Sequence, residues 1–507
     1  MYDVIIVGSG PAGISSAWPL VKAKKKVIMI DVGFTNNNNS VPKQSKIFNS
    51  SSPKIASKEL SFVFNRFKEL NKVSTNNFSV HGSLAKGGLS NAWSALVSSF
   101  TDEELINFPI SRKDLLPFYV LTAKRIGISG TKVSDLSDWL GNEYINQPNL
   151  KLHPLAEKLL NTYKNKKINF NQPIFKMDRH NQAILSEKFQ NRKAFDLINI
   201  KGFKDYSNSV YNSADELQKL IKYKNFIYLS DQYVFDLEQK KSSVNLLSKS
   251  VLNNQVSNFR SRILILAAGT IGTTKLVLKL KKYFNKPIPL FNTPMFPFAL
   301  FFPMELRRKI TFKSFSFWHL SYYLELPEIQ SNHKIYGHLA PTDGMSHKYL
   351  SEKLNLPRFF SELISKFLWP RMMVGTCIFP GIFSKNYFIL KSNDEINITG
   401  ETQTEFKKLA PKVKKKLSKI FFKLGAILKI KKLFMTPGED IHYAGTIPMK
   451  MNPNDLEVDK NGLLGGKGNI YLVDGSILSD LPAKSHTFTV MANSLRIAKF
   501  ILKRLKK

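Results

Sequence analysis

Three glycines near the start of the chain have the spacing of a turn that binds a diphosphate. Gly8, Gly10 and Gly13 follow the apolar run Val4–Val7 and precede the helical pattern Ile14–Lys22. Gly8 permits the tight turn, Gly10 lets the backbone approach a pyrophosphate, and Gly13 lets helix and strand pack closely. Because the N-terminus of the helix favours negative charge, this pattern predicts a dinucleotide site.

An acidic residue follows this turn at the distance expected of a ribose ligand. Asp31 comes directly after the second predicted strand, Val27–Ile30. An acid about 20 residues beyond the glycines typically hydrogen-bonds the ribose hydroxyls. The glycine pattern does not distinguish NAD from FAD, but its place at the start of this chain favours the flavin.

Two histidines near the end of the chain have the residue type and context for proton transfer. His442 and His486 flank the predicted strand Asn469–Val473, and His486 directly precedes the predicted helix Thr487–Lys503. Imidazole titrates near neutrality, so it can accept a hydroxyl proton while a hydride leaves the same carbon. The positive end of the helix can stabilise negative charge on a reduced cofactor.

These segments resemble the signatures of the glucose-methanol-choline oxidoreductases at both ends of the chain and in parts of the middle. The similar segments are Ile441–Thr446, Asn469–Ser476, Ser485–Thr489, Lys86–Trp93 and Ala267–Thr270. The resemblance implies an FAD-dependent enzyme that oxidises an alcohol, with His442 and His486 as its catalytic residues. The glycine-rich turn at 86–93 is shorter than the family's, so the chain is predicted to be a divergent member.

The glycine turn and the resemblance together indicate the residues that bind the cofactor. They are Gly8, Gly10, Ala12, Gly13, Asp31, Gly88, Ser90, Asn91, Val234, Ala268, Gly269, Asp474, Gly475 and Thr487. By similarity, Asp474 contacts the pyrophosphate and ribityl chain of the flavin. Small residues near Gly88 allow the ring to approach the backbone, and Ser90 and Asn91 are expected to hydrogen-bond the ring or the diphosphate.

The implied fold class is α/β, with an FAD-binding Rossmann-like domain of the three-layer ββα type and a second, substrate domain built on an antiparallel sheet and helices. The FAD-binding domain is predicted to comprise residues 1–100, 200–285 and 436–507, and the substrate domain 101–199 and 286–435. Within the first domain, the apolar run Arg262–Leu266 predicts a buried parallel strand, and Thr273–Leu280 has a helical pattern.

Two other segments carry predictions about the surface. Lys412–Phe434 places apolar residues at helical spacing among many lysines, which predicts a basic amphipathic helix. Such a helix either lies on a membrane or packs against the protein with its lysines in solvent, and the sequence leaves both open. Asn36–Ser57 is rich in Asn and Ser without periodicity, which predicts a surface loop.

The charge of the chain bears on its partners. Its 507 residues include 75 Lys+Arg and 38 Asp+Glu, a formal net charge of +37. An excess of this size attracts anionic partners, although codon bias towards Lys and Asn also produces it. Because no nucleic-acid motif accompanies the charge, the predicted partners are a small-molecule alcohol and an unspecified electron acceptor, without nucleic acid. A peripheral membrane contact stays open.

The cysteine content and the start of the chain predict where the protein resides. Cys377 is the single cysteine, which excludes intrachain disulfides and thiolate-rich metal sites, so no metal is predicted. An apolar strand begins at Tyr2, which leaves no room for a signal peptide. These features predict a cytoplasmic protein, with the inner membrane face as the open alternative.

Three functions remain to be distinguished. The leading hypothesis is an FAD-dependent alcohol dehydrogenase or oxidase acting on a sugar, a polyol or a lipidic alcohol. The second is a flavoprotein with non-redox chemistry, such as a hydratase or isomerase, against which the presence of both histidines argues. The third is a basic membrane-binding or nucleic-acid-binding protein with a degenerate nucleotide fold.

Overall fold

The computed structural model describes residues 1–36, 60–165, 174–195, 200–201, 204–205, 208–305, 318–329, 333–342, 357, 359, 362, 367–430 and 432–506. Of the predicted surface loop Asn36–Ser57, residues 37–57 lie outside the described residues.

The described strands are β1 (Tyr2–Val7), β2 (Val27–Ile30), β3 (Val73–Asn76), β4 (Ile174–Arg179), β5 (Ile200–Lys201), β6 (Lys204–Asp205), β7 (Phe226–Leu229), β8 (Gln232–Gln239), β9 (Val244–Ser250), β10 (Val256–Leu266), β11 (Pro287–Pro289), β12 (Met295–Phe301), β13 (Leu320–Glu325), β14 (Ile335–Pro341), β15 (Met372–Ile378), β16 (Ser384–Leu390), β17 (Ile396–Thr402), β18 (Ile427–Lys429) and β19 (Ile470–Leu472). The described helices are α1 (Pro11–Lys22), α2 (Ser61–Phe64), α3 (Phe67–Asn71), α4 (Arg112–Ile126), α5 (Ser137–Leu140), α6 (Pro154–Asn165), α7 (Ser213–Leu220), α8 (Gly269–Leu280), α9 (Thr404–Lys423) and α10 (Thr487–Arg504).

A largely parallel sheet contains the predicted opening of strand, helix and strand. Its order is β7-β2-β1-β10-β9-β8, and β19 pairs with β10. β7, β2, β1, β10 and β19 run parallel, whereas β10, β9 and β8 form an antiparallel meander. β2 and the C-terminal part of β1 are fully buried, as their continuous apolar sequences predict.

The two ends of the chain share one hydrophobic core. α1 packs against α10, and α10 packs against α4. Buried side chains of β1, α1, β19 and α10 belong to the same cluster. This arrangement of a helical layer, a parallel sheet and a β-meander confirms the predicted α/β class.

A six-stranded antiparallel sheet of order β18-β12-β15-β14-β13-β4 forms a second core. α6 and α9 contribute apolar side chains to it. Phe421 of α9 packs against both Phe298 of β12 and Tyr322 of β13, with ring centroids 5.7 and 5.8 Å away. A separate four-stranded sheet has the order β11-β16-β17-β3, and none of its strands pairs with a strand of the six-stranded sheet. The predicted domain boundaries stay a prediction.

The basic amphipathic helix differs from its predicted extent. α9 begins eight residues earlier than expected, at Thr404 rather than Lys412, and ends at Lys423. Gly425 follows with a φ of +85°, a left-handed conformation that stops a helix, and the chain then enters β18. Because the apolar face of α9 is buried in the second core, that face is not available to a membrane.

None of the described helices combines the length and hydropathy needed to cross a bilayer.

Adjacent phenylalanines of α9 provide a test of its packing. Phe421 is 0% exposed and Phe422 is 72% exposed. We expect Phe421→Ala to lower the free energy of unfolding by about 3–5 kcal/mol, because it opens a cavity in the second core. The control Phe422→Ala should change it by less than about 0.5 kcal/mol. Equal effects in chemical denaturation would contradict this packing.

Candidate active site

An open cleft is lined by most of the residues predicted to bind a cofactor. The predicted residues that line it are Gly8, Gly10, Ala12, Asp31, Gly88, Ser90, Val234, Ala268, Gly269, Asp474, Gly475, His486 and Thr487. Gly13, Asn91 and His442 are not part of the lining. The cleft therefore joins segments from the start, the middle and the end of the sequence.

The three glycines of the first turn differ in their surroundings. Gly8 has a φ of +100°, and a Cβ there would lie 2.4 Å from the carbonyl oxygen of Ala267. A Cβ on Gly13 would lie 2.0 Å from the carbonyl oxygen of Gly8. Gly10 has nothing within 4 Å of a Cβ position, so its open side faces the cleft. The turn is thus closely packed at Gly8 and Gly13 and open to the cleft at Gly10.

Three helices begin at the cleft with no side-chain cap. Pro11 of α1, Gly269 of α8 and Thr487 of α10 line it, and no N-cap side chain accepts a hydrogen bond from these helices. By contrast, α4 and α7 are capped by Ser111 and Asn212. The N-terminus of a helix carries the positive end of its dipole, so the cleft is suited to an anionic ligand. At α8, the backbone N–H of Gly269 already donates to the Asp474 carboxyl group.

Asp31 lies at the end of β2 and is held by Ser9. The Ser9 hydroxyl donates to Asp31 Oδ2, as does its backbone N–H at 3.3 Å. Burial raises the pKa of Asp31 to about 6, and the hydrogen bonds from Ser9 oppose the rise. Ser9 Oγ also accepts from the Gly87 N–H at 2.8 Å, which links the two glycine turns. The sequence analysis did not identify Ser9.

Ser90 and Asn91 donate hydrogen bonds within their own turn and accept them from Ser213 and Asn212 at the start of α7. Ser90 Oγ donates to the carbonyl oxygen of Gly87 at 2.6 Å. Asn91 Nδ2 donates to the carbonyl oxygens of Lys86 at 2.9 Å and Gly88 at 2.8 Å. Asn91 therefore stabilises the turn and does not line the cleft, and its contact with a cofactor stays a prediction.

Asp474 connects the end of the chain to α8. Its Oδ2 accepts from Thr273 Oγ1 at 2.5 Å, and its Oδ1 accepts from the Ser476 hydroxyl at 2.7 Å and N–H at 3.0 Å. Burial raises the pKa of Asp474, and these hydrogen bonds oppose the rise. The carboxylate thus fixes the turn that presents Gly475 to the cleft.

The predicted catalytic histidines lie side by side. The ring centroids of His442 and His486 are 5.3 Å apart, with the rings nearly perpendicular at 82°. Burial lowers the pKa of both, that of His486 to about 3, so both imidazoles are neutral near pH 7. Nδ1 of His486 is buried and has no hydrogen-bond partner among the residues that the structure describes, whereas Nδ1 of His442 lies 3.0 Å from Thr293 Oγ1.

A buried ion pair anchors the segment that leads to His486. Lys484 is fully buried, and its Nζ donates to Glu104 Oε2 at 2.7 Å and to the carbonyl oxygen of Ser99 at 3.0 Å. Burial lowers the pKa of Lys484 to about 8, although Glu104 opposes the effect. Nothing in the sequence separates this lysine from the many others.

The second core supplies a group of buried polar side chains. Ser321 Oγ lies 2.9 Å from His180 Nδ1 and 3.0 Å from His338 Nδ1, and the Tyr336 hydroxyl lies 2.6 Å from His180 Nδ1. Burial lowers the pKa of His338, and the charges of His180 and His442 lower it further. His180 and His338 lie outside the sequence motifs that indicated His442 and His486. Among the described residues, no group of His, Cys, Asp or Glu is arranged to hold a metal ion.

Comparison with known proteins shows the fold. No family model and no curated protein matches the sequence. A solved pyridoxine 4-oxidase from Mesorbium loti has a TM-score of 0.61 and 14% identity over 99% of both chains. A solved formate oxidase from Aspergillus oryzae RIB40, which contains an FAD subject to modification, has a TM-score of 0.65 and 14% identity over 100% of this chain and 98% of that one. The chain has the fold of these two enzymes along its whole length.

The glycine turn predicts opposite outcomes for two similar substitutions. Gly13→Ala should lower the free energy of unfolding by about 1–3 kcal/mol or more, because its Cβ overlaps the Gly8 carbonyl. Gly10→Ala should leave the fold within about 0.5 kcal/mol, since Gly10 has an ordinary φ of −67° and open space. Thermal unfolding of both variants measures this, and a destabilised Gly10→Ala would refute the geometry.

Proposed function

We propose that this chain is a divergent glucose-methanol-choline oxidoreductase that uses FAD to oxidise a CH–OH group. The observation that supports this most directly is the pair of neutral imidazoles, 5.3 Å apart, with His486 at the wall of a cleft into which three uncapped helices open. A histidine pair without the cleft, or a glycine turn without the histidines, would support this function much less strongly. The fold shared with two solved oxidases agrees with the proposal.

The cleft has the features that FAD requires. The open side of Gly10 and the free N–H groups of α1 would receive the diphosphate, and the Asp31 carboxylate would accept hydrogen bonds from a ribose. Val234, Ala268 and Gly475 would line the path of the cofactor towards His486. When bound, FAD would supply the acceptor for the hydride.

The residues of the chain would manage the proton and the charge. His486 lines the cleft and would hydrogen-bond the substrate oxygen, and the neutral imidazole of His442, 5.3 Å behind it, would take the hydroxyl proton of the alcohol. The uncapped N-terminus of α10 beside His486 would stabilise negative charge that builds up in the cleft during the reaction.

The substrate is proposed to be a small-molecule alcohol, and a screen would identify its class and test the function at once. Purified protein is mixed under anaerobic conditions with sugars, polyols and long-chain alcohols while flavin absorbance is recorded. Bleaching by an alcohol supports the oxidoreductase, an unbleached flavin favours a hydratase or isomerase, and protein without flavin absorbance refutes the cofactor. Readmission of oxygen then distinguishes an oxidase from an enzyme that needs another acceptor. A cytoplasmic location stays a prediction.

Loss of the proposed base should separate chemistry from cofactor binding. We expect His442→Ala to retain the flavin spectrum while the rate of flavin reduction falls by ~10²–10⁴, as is typical when a general base is lost. His153→Ala is the control, because it removes a buried imidazole at the start of α6, away from the cleft. Flavin reduction at an unchanged rate in His442→Ala would rule out this assignment.

The raised pKa of Asp31 predicts a pH dependence of FAD affinity. The carboxylate accepts hydrogen bonds more strongly when ionised, and its pKa in the free protein is about 6. Affinity should be constant above that pH and fall below it by up to about tenfold per pH unit. Asp31→Asn should bind more weakly and without this dependence. Fluorescence titration of the apoprotein measures it, and an equal pH response in both proteins would exclude Asp31.

A further inference from the structure

The hydroxyl of Thr293 lies between a carboxylate and the candidate base. Thr293 Oγ1 is 2.7 Å from Asp440 Oδ2 and 3.0 Å from His442 Nδ1. A hydroxyl has one hydrogen and two lone pairs, so it donates to only one of these two groups and accepts from the other. The direction of this pair of hydrogen bonds therefore decides which nitrogen of His442 carries its hydrogen.

The surroundings of Asp440 determine that direction. Its Oδ1 accepts from Asn292 Nδ2 at 2.8 Å, and its Oδ2 accepts from the backbone N–H of Thr293 at 2.7 Å and of His442 at 3.3 Å. Burial raises the pKa of Asp440, but the nearby His442 and these donors oppose the rise. A carboxyl group that receives only N–H donors is favoured in its ionised form, which accepts hydrogen bonds and cannot donate one.

We propose that Asp440, acting through Thr293, is a positioning residue that holds His442 in the tautomer with its hydrogen on Nδ1 and a free lone pair on Nε2. The Thr293 hydroxyl donates to Asp440, so its oxygen accepts from Nδ1–H of His442. Nε2 is then the nitrogen that can accept a proton. The catalytic meaning of this tautomer rests on the proposed function, whereas the tautomer itself does not.

The same relay stabilises the protonated state of His442. The titratable groups around this ring are Asp440 through Thr293, His486 at 5.3 Å, and His338, whose pKa His442 helps to lower. Burial lowers the pKa of both other histidines, so they are neutral near pH 7. Asp440 is thus the negative charge that raises the pKa of His442 against the effect of burial.

Nitrogen NMR of the full-length protein, labelled with ¹⁵N-histidine, reads the tautomer without any substrate. Loss of a signal in His442→Gln identifies the ring. We expect hydrogen on Nδ1 and a bare Nε2 in the unsubstituted protein, a mixture of tautomers in Thr293→Val, and recovery in Thr293→Ser. Thr342→Val is the matched control, because it removes a buried hydroxyl that donates to the Trp369 carbonyl at 2.6 Å, away from His442.

A pH titration of the same signals tests the role of the charge. Without the carboxylate, His442 loses a group that raises its pKa, so Asp440→Asn should titrate at lower pH than the unsubstituted protein. The rate of flavin reduction should fall in Asp440→Asn and Thr293→Val, but by less than the ~10²–10⁴ of losing the base itself.

Two results would overturn the relay: hydrogen on Nε2 in the unsubstituted protein, or the same tautomer with and without the Thr293 hydroxyl. Both are read from the ring signals alone. The expected tautomer in a protein that binds no flavin would leave the relay standing and refute the proposed function. The reverse pattern, an active flavoenzyme with Nε2–H, would refute the relay only.

Discussion

Helix α10 packs along α1, and Ser494 places its hydroxyl oxygen 3.1 Å from the carbonyl oxygens of both Ala12 and Val473. This contact joins the first helix, the turn after β19 and the last described helix. It fixes where α10 begins, and therefore where His486 lies relative to the first glycine turn. If α10 moved along its axis by one turn, a shift of about 5.4 Å, His486 would no longer line the cleft.

The electrostatics of the cleft combine backbone placement with a few buried charged side chains. Three helix N-termini open into it and favour negative charge, and its lining also contains Lys275 and the carboxyl groups of Asp31 and Asp474. Burial keeps His442 and His486 neutral, which suits proton uptake. A fixed carboxylate close to one of them then offsets the cost of placing charge in a dry environment.

The sequence predicted best those features that depend on neighbouring residues. The opening strand, turn and helix and the segments around Asp474 and His486 follow from local spacing, and the structure brings them together at one cleft. Thr293 and Asp440, which are hydrogen-bonded, are 147 residues apart in the sequence. No local periodicity of the sequence therefore predicts their contact. Asp440 was not among the predicted site residues, although it lies only two residues before His442. α9 ends before Gly425, whose left-handed conformation stops the helix. The prediction that the helix continues to Phe434 considered only the spacing of the apolar residues and not this glycine.

The order of strands in the parallel sheet constrains how this protein can be made. β10 pairs with β1 on one side and with β19 on the other, and α1 is covered by α10. A ribosome releases β1, α1 and β10 long before it releases residues 470–504, so the nascent chain carries an uncovered apolar helix for most of its synthesis. Exposed surface of this kind promotes aggregation, and contacts between distant segments form slowly. Completion of this sheet is therefore a late event in biosynthesis, and a chain truncated before β19 lacks one of the strands that pair with β10 and the helix that covers α1.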